Sequence, residues 1–211
     1  MSAETPEGRP YRSARRAEAA EDTRARIVDA AIRLFVGKGY GNVTVNDIAR
    51  EAAVAVPTVY ASAGGKTAIL ATIIDEAVRD PVVDATLAGV RKAGDAREAI
   101  RVLVHGVRLD NERYHDIIRV NRTAAAVDEN AMEILVRSDR IYRQALADVL
   151  PRLRELAPIR DDLTDQHAAD LLWFYLGHQS WLTFVVELGW TWDEVEKWLR
   201  ARVETAVLKP G

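Results

Sequence analysis

The sequence predicts an all-α fold in which a small domain of three short helices precedes a larger helical domain. Three observations support this prediction. Between positions 23 and 70, apolar residues recur at helical spacing and turn residues divide the stretch into three. Beyond Leu70 the alternation typical of strands is missing, and Gly and Pro separate further segments of helical length. The chain has 211 residues, which is ample for a sizeable core.

The first helix is recognised by its apolar face. Residues spaced at i, i+3, i+4, i+7 and i+8 lie on one side of a helix. The residues at these positions are Ile27, Ala30, Ala31, Leu34 and Phe35. Gly37 and Gly39 follow them, and we expect the helix to end there.

The second and third helices are marked by their first residues. Thr44 opens the second, and Asp47 three residues later completes a capping box that satisfies free backbone N–H groups. The third begins at Val56, with Pro57 in the first turn, where a missing N–H does no harm. A tight turn at residues 53–55 joins them. This layout is that of a helix-turn-helix DNA-binding domain.

Longer helices are predicted for the rest of the chain. Residues 67–79 connect the two domains, and Pro151 is expected to kink or split its helix. Residues 82–94 form a loop or a further short helix. The other predicted helical segments are 95–114, 115–127, 128–156, 164–188 and 192–208.

The segment TVNDIAREAAVAVPTVY, followed by GGKTAIL, resembles the DNA-binding domain of TetR-family transcriptional repressors. The resemblance covers about the first third of the chain. This sequence differs from the family pattern at four positions, with Ala53 for a turn Gly, Ala55 for a capping Ser, Ala63 for Phe and Thr67 for Glu. Loss of the capping Ser is expected to cost about 0.5 to 2 kcal/mol of local helix stability.

The resemblance implies that the third helix enters the major groove of double-stranded DNA. Its N-terminal side chains would reach base edges. Phosphates would be held by further side chains and by a helix N-terminus. The base-facing candidates are Val56, Pro57 and Thr58, and the phosphate-facing candidates are Thr44, the N–H of Val45, Tyr60 and Lys66. For Val56 the alternative is core packing. For Tyr60 a phosphate contact and core packing are both possible. Arg, Asn and Gln are missing from the base-facing positions, so direct contacts should discriminate sequence only modestly.

Three regions are expected from composition and charge. Residues 1–22 are polar and Arg-rich and are predicted to be a disordered basic arm that either follows phosphates or does nothing specific. Residues 23–70 form the helix-turn-helix domain, and residues 71–211 form a helical domain for effector binding and dimerisation. Residues 1–70 carry a net charge of +2 and the remainder −5, so the cationic part coincides with the predicted DNA-binding part.

The segment 164–188 is apolar on two sides when drawn as one helix, which indicates burial on both. One side can pack within its own domain and the other against a second copy of the chain. A buried central helix in a monomer is the alternative. The family resemblance also favours a homodimer. The predicted interface residues are Ala168, Leu172, Tyr175, Leu182, Val186 and, from the last helix, Trp198.

The resemblance further implies a cavity for a small-molecule effector among the C-terminal helices. Trp173, Gly177 and Trp181 share one face of the predicted helix, where the glycine leaves space between two rings. Tyr142 and His178 lie near that face, and Arg119 and Arg122 are candidates for an anionic ligand. The alternatives are core packing for the aromatic residues and solvent exposure for the arginines.

Other classes of function find little support in the sequence. It has no Cys, no metalloprotease or serine-hydrolase motif, no phosphate-binding glycine loop and no apolar stretch of membrane-spanning length. We therefore expect no enzyme activity, metal or cofactor, no membrane partner, and a cytoplasmic location. The sequence predicts a homodimeric repressor that a small molecule releases from a palindromic operator. The alternative is an adaptor or co-regulator whose altered helix-turn-helix does not bind DNA alone.

Overall fold

The structure is a computed structural model that describes residues 8–209, with side chains described from residue 15 onward. These residues form eleven α-helices and no β-strand. A short 3-10 turn, Tyr40–Asn42, follows the first helix, and a π-helical turn, Thr183–Glu187, follows the tenth. The helices are α1 (Gly8–Lys38), α2 (Val45–Glu51), α3 (Val56–Ala63), α4 (Lys66–Val78), α5 (Pro81–Lys92), α6 (Ala96–Ala125), α7 (Glu129–Ala147), α8 (Leu150–Leu156), α9 (Asp165–Leu176), α10 (His178–Leu182) and α11 (Trp192–Val207).

The N-terminal arm differs from its prediction. We expected residues 1–22 to be disordered, but α1 begins at Gly8 and is continuous to Lys38. Between positions 14 and 26 the helix consists mainly of Ala, Arg and Glu, which have high intrinsic helix propensity, so low hydrophobicity alone does not prevent helix formation there. Residues 1–7 lie outside the described residues.

Helices α1 to α4 surround the first hydrophobic core, which includes Ile27, Phe35, Ile48, Val59 and Leu70. The predicted starts of α2 and α3 are confirmed. Thr44 and Asp47 form the capping box of α2, whereas Ala55 caps α3 without a side-chain hydrogen bond. Ala53, in the turn between these helices, adopts a positive φ of 53°.

The C-terminal domain is built around α6, which packs against α5, α7 and α11. We predicted separate helices for 95–114 and 115–127, but α6 is continuous, because no Gly or Pro interrupts the sequence between Val107 and Ala125. Residues 81–92 form a helix, capped by Asp80. The expected split at Pro151 is confirmed, since this residue lies in the first turn of α8.

The predicted helix 164–188 breaks at Gly177. This residue has an extended ψ of 153°, and a Cβ atom built on it would lie 2.5 Å from the carbonyl oxygen of Trp173. Helix α10 and the π-helical turn then change the register. The apolar residues after position 177 therefore do not continue the faces of α9. Among residues 8–209, no helix is both long and apolar enough to cross a membrane.

Candidate functional site

Helix α3 packs one side against the first core and turns the other to solvent. Pro57 is exposed, Thr58 is half-buried, and the side chain of Tyr60 is 56% exposed. Val59 is fully buried, and Val56 is half-buried against the first core. The arrangement leaves Pro57, Thr58 and Tyr60 available to a ligand, whereas Val56 is partly used in packing.

The N-terminus of α2 lies in the same domain. The Thr44 hydroxyl donates a hydrogen bond to Asp47 Oδ2 over 2.6 Å, and the backbone N–H of Asp47 donates to the Thr44 hydroxyl. The hydrogen bonds that the Thr44 hydroxyl and the Thr44 backbone N–H donate to the carboxylate lower the pKa of Asp47 to about 2. The N–H of Val45 lies in the first turn, where backbone donors have no acceptor within the helix. The backbone N–H of Val45 is therefore free to bind an anion, whereas the neighbouring Thr44 hydroxyl already has hydrogen-bond partners.

Lys66 is held by the residues around it rather than extended into solvent. Its Nζ donates a hydrogen bond to the carbonyl oxygen of Tyr40 over 3.1 Å and lies 4.0 Å from the centre of the Tyr40 ring. A cation over an aromatic face gains further electrostatic stabilisation. The ammonium group is thereby fixed at the start of α4.

A polar cluster joins the two domains. The Tyr40 hydroxyl donates to Asp128 Oδ2 over 2.7 Å, and the Thr67 hydroxyl donates to the same oxygen over 3.1 Å. Burial raises the pKa of Tyr40 to about 12, and the Tyr40 hydrogen bond helps hold the pKa of Asp128 below its usual range. Asp128 also caps α7. Sequence reasoning missed this cluster, although Thr67 had been identified as an unusual residue.

A cavity lies between α4, α6, α7 and α10. The cavity volume is about 70 Å³, and the space between the lining atoms, which opens to solvent, is about 640 Å³. Three of the predicted effector-binding residues line it, namely Tyr142, His178 and Arg122. Its wall on the α4 side consists of Ile74, Ala77 and Val78. The cavity therefore contacts the helix that begins in the first domain.

The other four predicted effector residues lie elsewhere. Trp181 is fully buried and stacks on Trp192. Trp173 and Gly177 line a neighbouring, more open groove that shares Arg122 and Asp139 with the cavity. Arg119 is exposed and forms an ion pair with Asp116. The prediction that Trp173, Gly177 and Trp181 frame one space was wrong, because the break at Gly177 separates the two rings.

Hydrogen bonds fix the aromatic side of the cavity. The Tyr142 hydroxyl donates to the carbonyl oxygen of Leu176 over 3.0 Å, and its ring stacks on His178 with 4.2 Å between ring centres. His178 Nδ1 lies 3.0 Å from Asn111 Oδ1. Burial, assisted by the positive charge of Arg122, lowers the pKa of His178 to about 4. This imidazole is therefore neutral at pH 7.

Two polar residues of α6, Asp110 and Asn121, also line the cavity, and the sequence analysis did not select them. Both are buried. They share one side of α6 with Tyr114, Ile117 and Ile118, which also line the cavity. A carboxylate and an amide on an otherwise apolar helix face were the signal that could have identified them.

The predicted dimer interface is only partly exposed. Ala168, Leu172 and Leu182 are buried in the chain's own core, so their assignment to a partner-facing surface was wrong. Tyr175 and Trp198 are half-buried. Three large apolar side chains near the predicted surface are exposed: Phe174 (69%), Val186 (45%) and Leu188 (59%). The helix break accounts for the difference, since one helical projection cannot describe α9 and α10 together.

Metal-ligand clusters are absent from the described part of the chain, in which no three His, Asp or Glu residues are grouped to hold an ion.

Comparison with known proteins gives consistent matches. Residues 27–73 match a family described as bacterial regulatory proteins, tetR family. The HTH-type transcriptional regulator BetI of Agrobacterium fabrum is 39% identical over 82 residues, which are 39% of this chain and 39% of that protein. The chain thus matches about two fifths of the length of that relative.

Two solved structures share the whole fold. A putative transcriptional regulator from Saccharomonospora viridis in complex with choline has a TM-score of 0.70 and 20% identity, covering 90% of this chain and 100% of that one. The regulator FadR from Bacillus subtilis in complex with stearoyl-CoA has a TM-score of 0.71 and 15% identity, covering 86% and 98%. At these identities the likeness extends to the fold alone.

Proposed function

We propose that this chain, whose residues 27–73 belong to the tetR family of bacterial regulatory proteins, is a DNA-binding transcriptional repressor controlled by a small molecule. The observation that carries the proposal is the solvent-facing side of α3, formed by Pro57, Thr58 and Tyr60, on a short helix packed against the first core. An α-helix fits the major groove, and its first residues reach the base edges.

In this proposal Pro57 and Thr58 contact bases, and Val56 contributes an apolar edge. Thr58 supplies a hydroxyl, and Pro57 an apolar surface for a thymine methyl group. Phosphates are bound by Tyr60, by Lys66 and by the start of α2 at Thr44 and Val45. The interaction of Lys66 with Tyr40 supports its role, because a fixed ammonium group loses less side-chain entropy on binding.

The repressor acts as a homodimer. One recognition helix offers little surface for specific binding, and two helices about 34 to 36 Å apart address successive major grooves of a palindrome. A second copy covers the exposed side chains of Phe174, Val186 and Leu188, with Tyr175 and Trp198 beside them. Exposed aromatic and aliphatic side chains in one region are characteristic of protein interfaces.

The effector occupies the cavity lined by Tyr142, His178 and Arg122. Its filling displaces α4, which forms one wall of the cavity and carries Lys66 and Thr67 at its other end. The cluster of Tyr40, Thr67 and Asp128 transmits the same displacement from α7. A coupling free energy of about 1 to 3 kcal/mol gives a 5- to 150-fold loss of DNA affinity. The ligands named for the two similar structures differ in charge, so they do not determine the effector class.

The test is selection of bound duplexes from a random pool, repeated over a series of salt concentrations. We expect a palindrome and a steep salt dependence. Tyr60→Ala should weaken binding to that palindrome about tenfold, as expected for loss of one hydrogen bond to a charged group. Met132→Ala, at an exposed position of α7 outside α3, the cavity and the proposed dimer surface, serves as the control. Weak, sequence-blind binding would refute the proposal and favour the adaptor alternative.

A further inference from the structure

Asp110 is a buried carboxylate without a partner. This residue is only 9% exposed, and among the described residues its carboxylate has no hydrogen bond or ion pair, although the charge of Arg113 acts on it. The other buried carboxylate, that of Asp80, accepts hydrogen bonds from Arg113 and Tyr114. An unpaired buried charge costs far more than a hydrogen-bonded one, so a fold does not retain it for stability. Asp110 therefore requires another explanation.

The same cavity contains a buried acceptor without a hydrogen-bond partner. Asn121 is 4% exposed, and its Oδ1 has no hydrogen-bond partner. Its Nδ2 donates to the Ser138 hydroxyl, which itself donates to the carbonyl oxygen of Leu135. Because the Ser138 hydrogen is already used, Ser138 can only accept, and the Asn121 amide is held with its oxygen unpaired. Asn121 Oδ1 and the Asp110 carboxylate, both in the cavity lining, can therefore accept a hydrogen bond from a ligand or face its positive charge.

The charges around the cavity compensate Asp110 only in part, because the positive charge of Arg113 lowers its pKa while burial and the charge of Asp80 raise it. Arg122 is the lining cation, and its charge acts on Asp139, whose pKa is raised by burial and partly lowered again by Arg122 and Arg143. His178 is neutral at pH 7 because burial lowers its pKa to about 4. The remaining lining consists mainly of aliphatic side chains and the rings of Tyr114 and Tyr142. Aromatic faces attract cations and repel anions.

We infer that the effector is an organic cation with an apolar body, such as an alkylammonium or quaternary ammonium compound, and that its charged group pairs with Asp110. The inference rests on the proposed function only in treating the cavity as the effector site. The apolar walls on α4 and α7 accept the hydrocarbon part, and the rings of Tyr114 and Tyr142, which also line the cavity, offer aromatic faces to the charged group. An anionic effector would place its charge beside Asp110 and is disfavoured.

Ligand binding to the protein without DNA tests the inference directly. Isothermal titration calorimetry compares decyltrimethylammonium, 1-decanol and decanoate, which share a chain length and differ in charge. We expect the cation to bind at least about tenfold more tightly than the alcohol, since one pKa unit of charge stabilisation is a tenfold change in affinity. Decanoate should bind most weakly.

The Asp110→Asn variant keeps the shape of the side chain and removes its charge. We expect it to lose at least about tenfold in affinity for decyltrimethylammonium and to change less than about twofold for 1-decanol. The matched control is Asp29→Asn, which removes an exposed carboxylate on α1 outside the cavity and should change cation affinity less than about threefold. Thermal unfolding of both variants verifies that they fold.

The pH dependence of cation affinity is a second test of the pairing with Asp110. Burial, and then the nearby charge of Asp80, raise the pKa of Asp110 to about 7. Cation affinity should therefore fall about tenfold between pH 8 and pH 6 as the carboxylate protonates, and Asp110→Asn should abolish this dependence. The α4 wall contributes no titratable side chain to the cavity, since its lining residues are Ile74, Ala77 and Val78. The titratable and charged groups around Asp110 from the other elements are Asp80, Arg113, Tyr114, Arg122, Asp139, Tyr142 and His178.

The outcomes separate the inference from the proposed function. Equal or tighter binding of 1-decanol or decanoate, absence of cation binding, or full cation affinity in Asp110→Asn would overturn the inference. If the cation binds through Asp110 but does not release DNA in a fluorescence anisotropy assay, the ligand class stands and the repressor mechanism fails.

Discussion

Replacement of Ala53 by Gly should stabilise the protein. Ala53 has a φ of +53°, in the left-handed region, and its exposed side chain makes no core contact that the change would remove. This conformation costs a non-glycine residue about 1 to 2 kcal/mol. Glycine loses about 0.5 to 1 kcal/mol more conformational entropy on folding. The difference is a net gain of about 0.5 to 1 kcal/mol in unfolding free energy.

The gain is measurable by thermal and urea unfolding. For a chain of this size about 1 kcal/mol shifts Tm by about 2 to 4 °C. The backbone hydrogen bond from the Ala53 N–H to the Arg50 carbonyl remains possible in Ala53→Gly. Ala61→Gly, at an exposed position of α3, is the matched control and should lose about 0.5 to 1 kcal/mol. If both variants lose stability equally, the strain assigned to Ala53 is refuted.

Three further predictions follow from buried and exposed side chains. The pKa of Asp110 is raised in the folded state, so the contribution of its protonated form to stability is lost as pH rises from about 4 to 7. In urea unfolding, this group should make the protein about 2 to 3 kcal/mol less stable at pH 8 than at pH 5. Asp110→Asn should remove this dependence of stability on pH. Tyr40→Phe removes the hydroxyl that Asp128 accepts from and should cost about 1.5 to 3 kcal/mol in urea unfolding; unchanged stability would contradict a bridging role. Phe174→Glu places a charge in the proposed dimer surface and should yield monomers in light scattering, with secondary structure by circular dichroism unchanged; a persistent dimer would exclude this surface.

Local signals in the sequence were sufficient for the first domain. The capping box of Thr44 and Asp47, the glycines after Phe35 and the Pro in the first turn of α3 act over a few residues, and the structure confirms the helices they predict. The split at Pro151 was predictable for the same reason. The low hydrophobicity of residues 8–22 predicts disorder, but the high helix propensity of their Ala, Arg and Glu residues produces a helix.

The cavity and the exposed apolar surface required the tertiary structure. Ala168 and Leu172 look available on a helical projection, yet both are buried in the chain's own core. Sequence alone determined the helical class, the helix-turn-helix and its candidate DNA-facing residues. Tertiary structure decided that Tyr40 donates a hydrogen bond to Asp128, 88 positions away in sequence. It also decided that Asp110, which has no hydrogen-bond partner, lines a cavity. The physical reason is that caps and periodicity depend on neighbours along the chain, whereas burial and pairing depend on the element packed opposite.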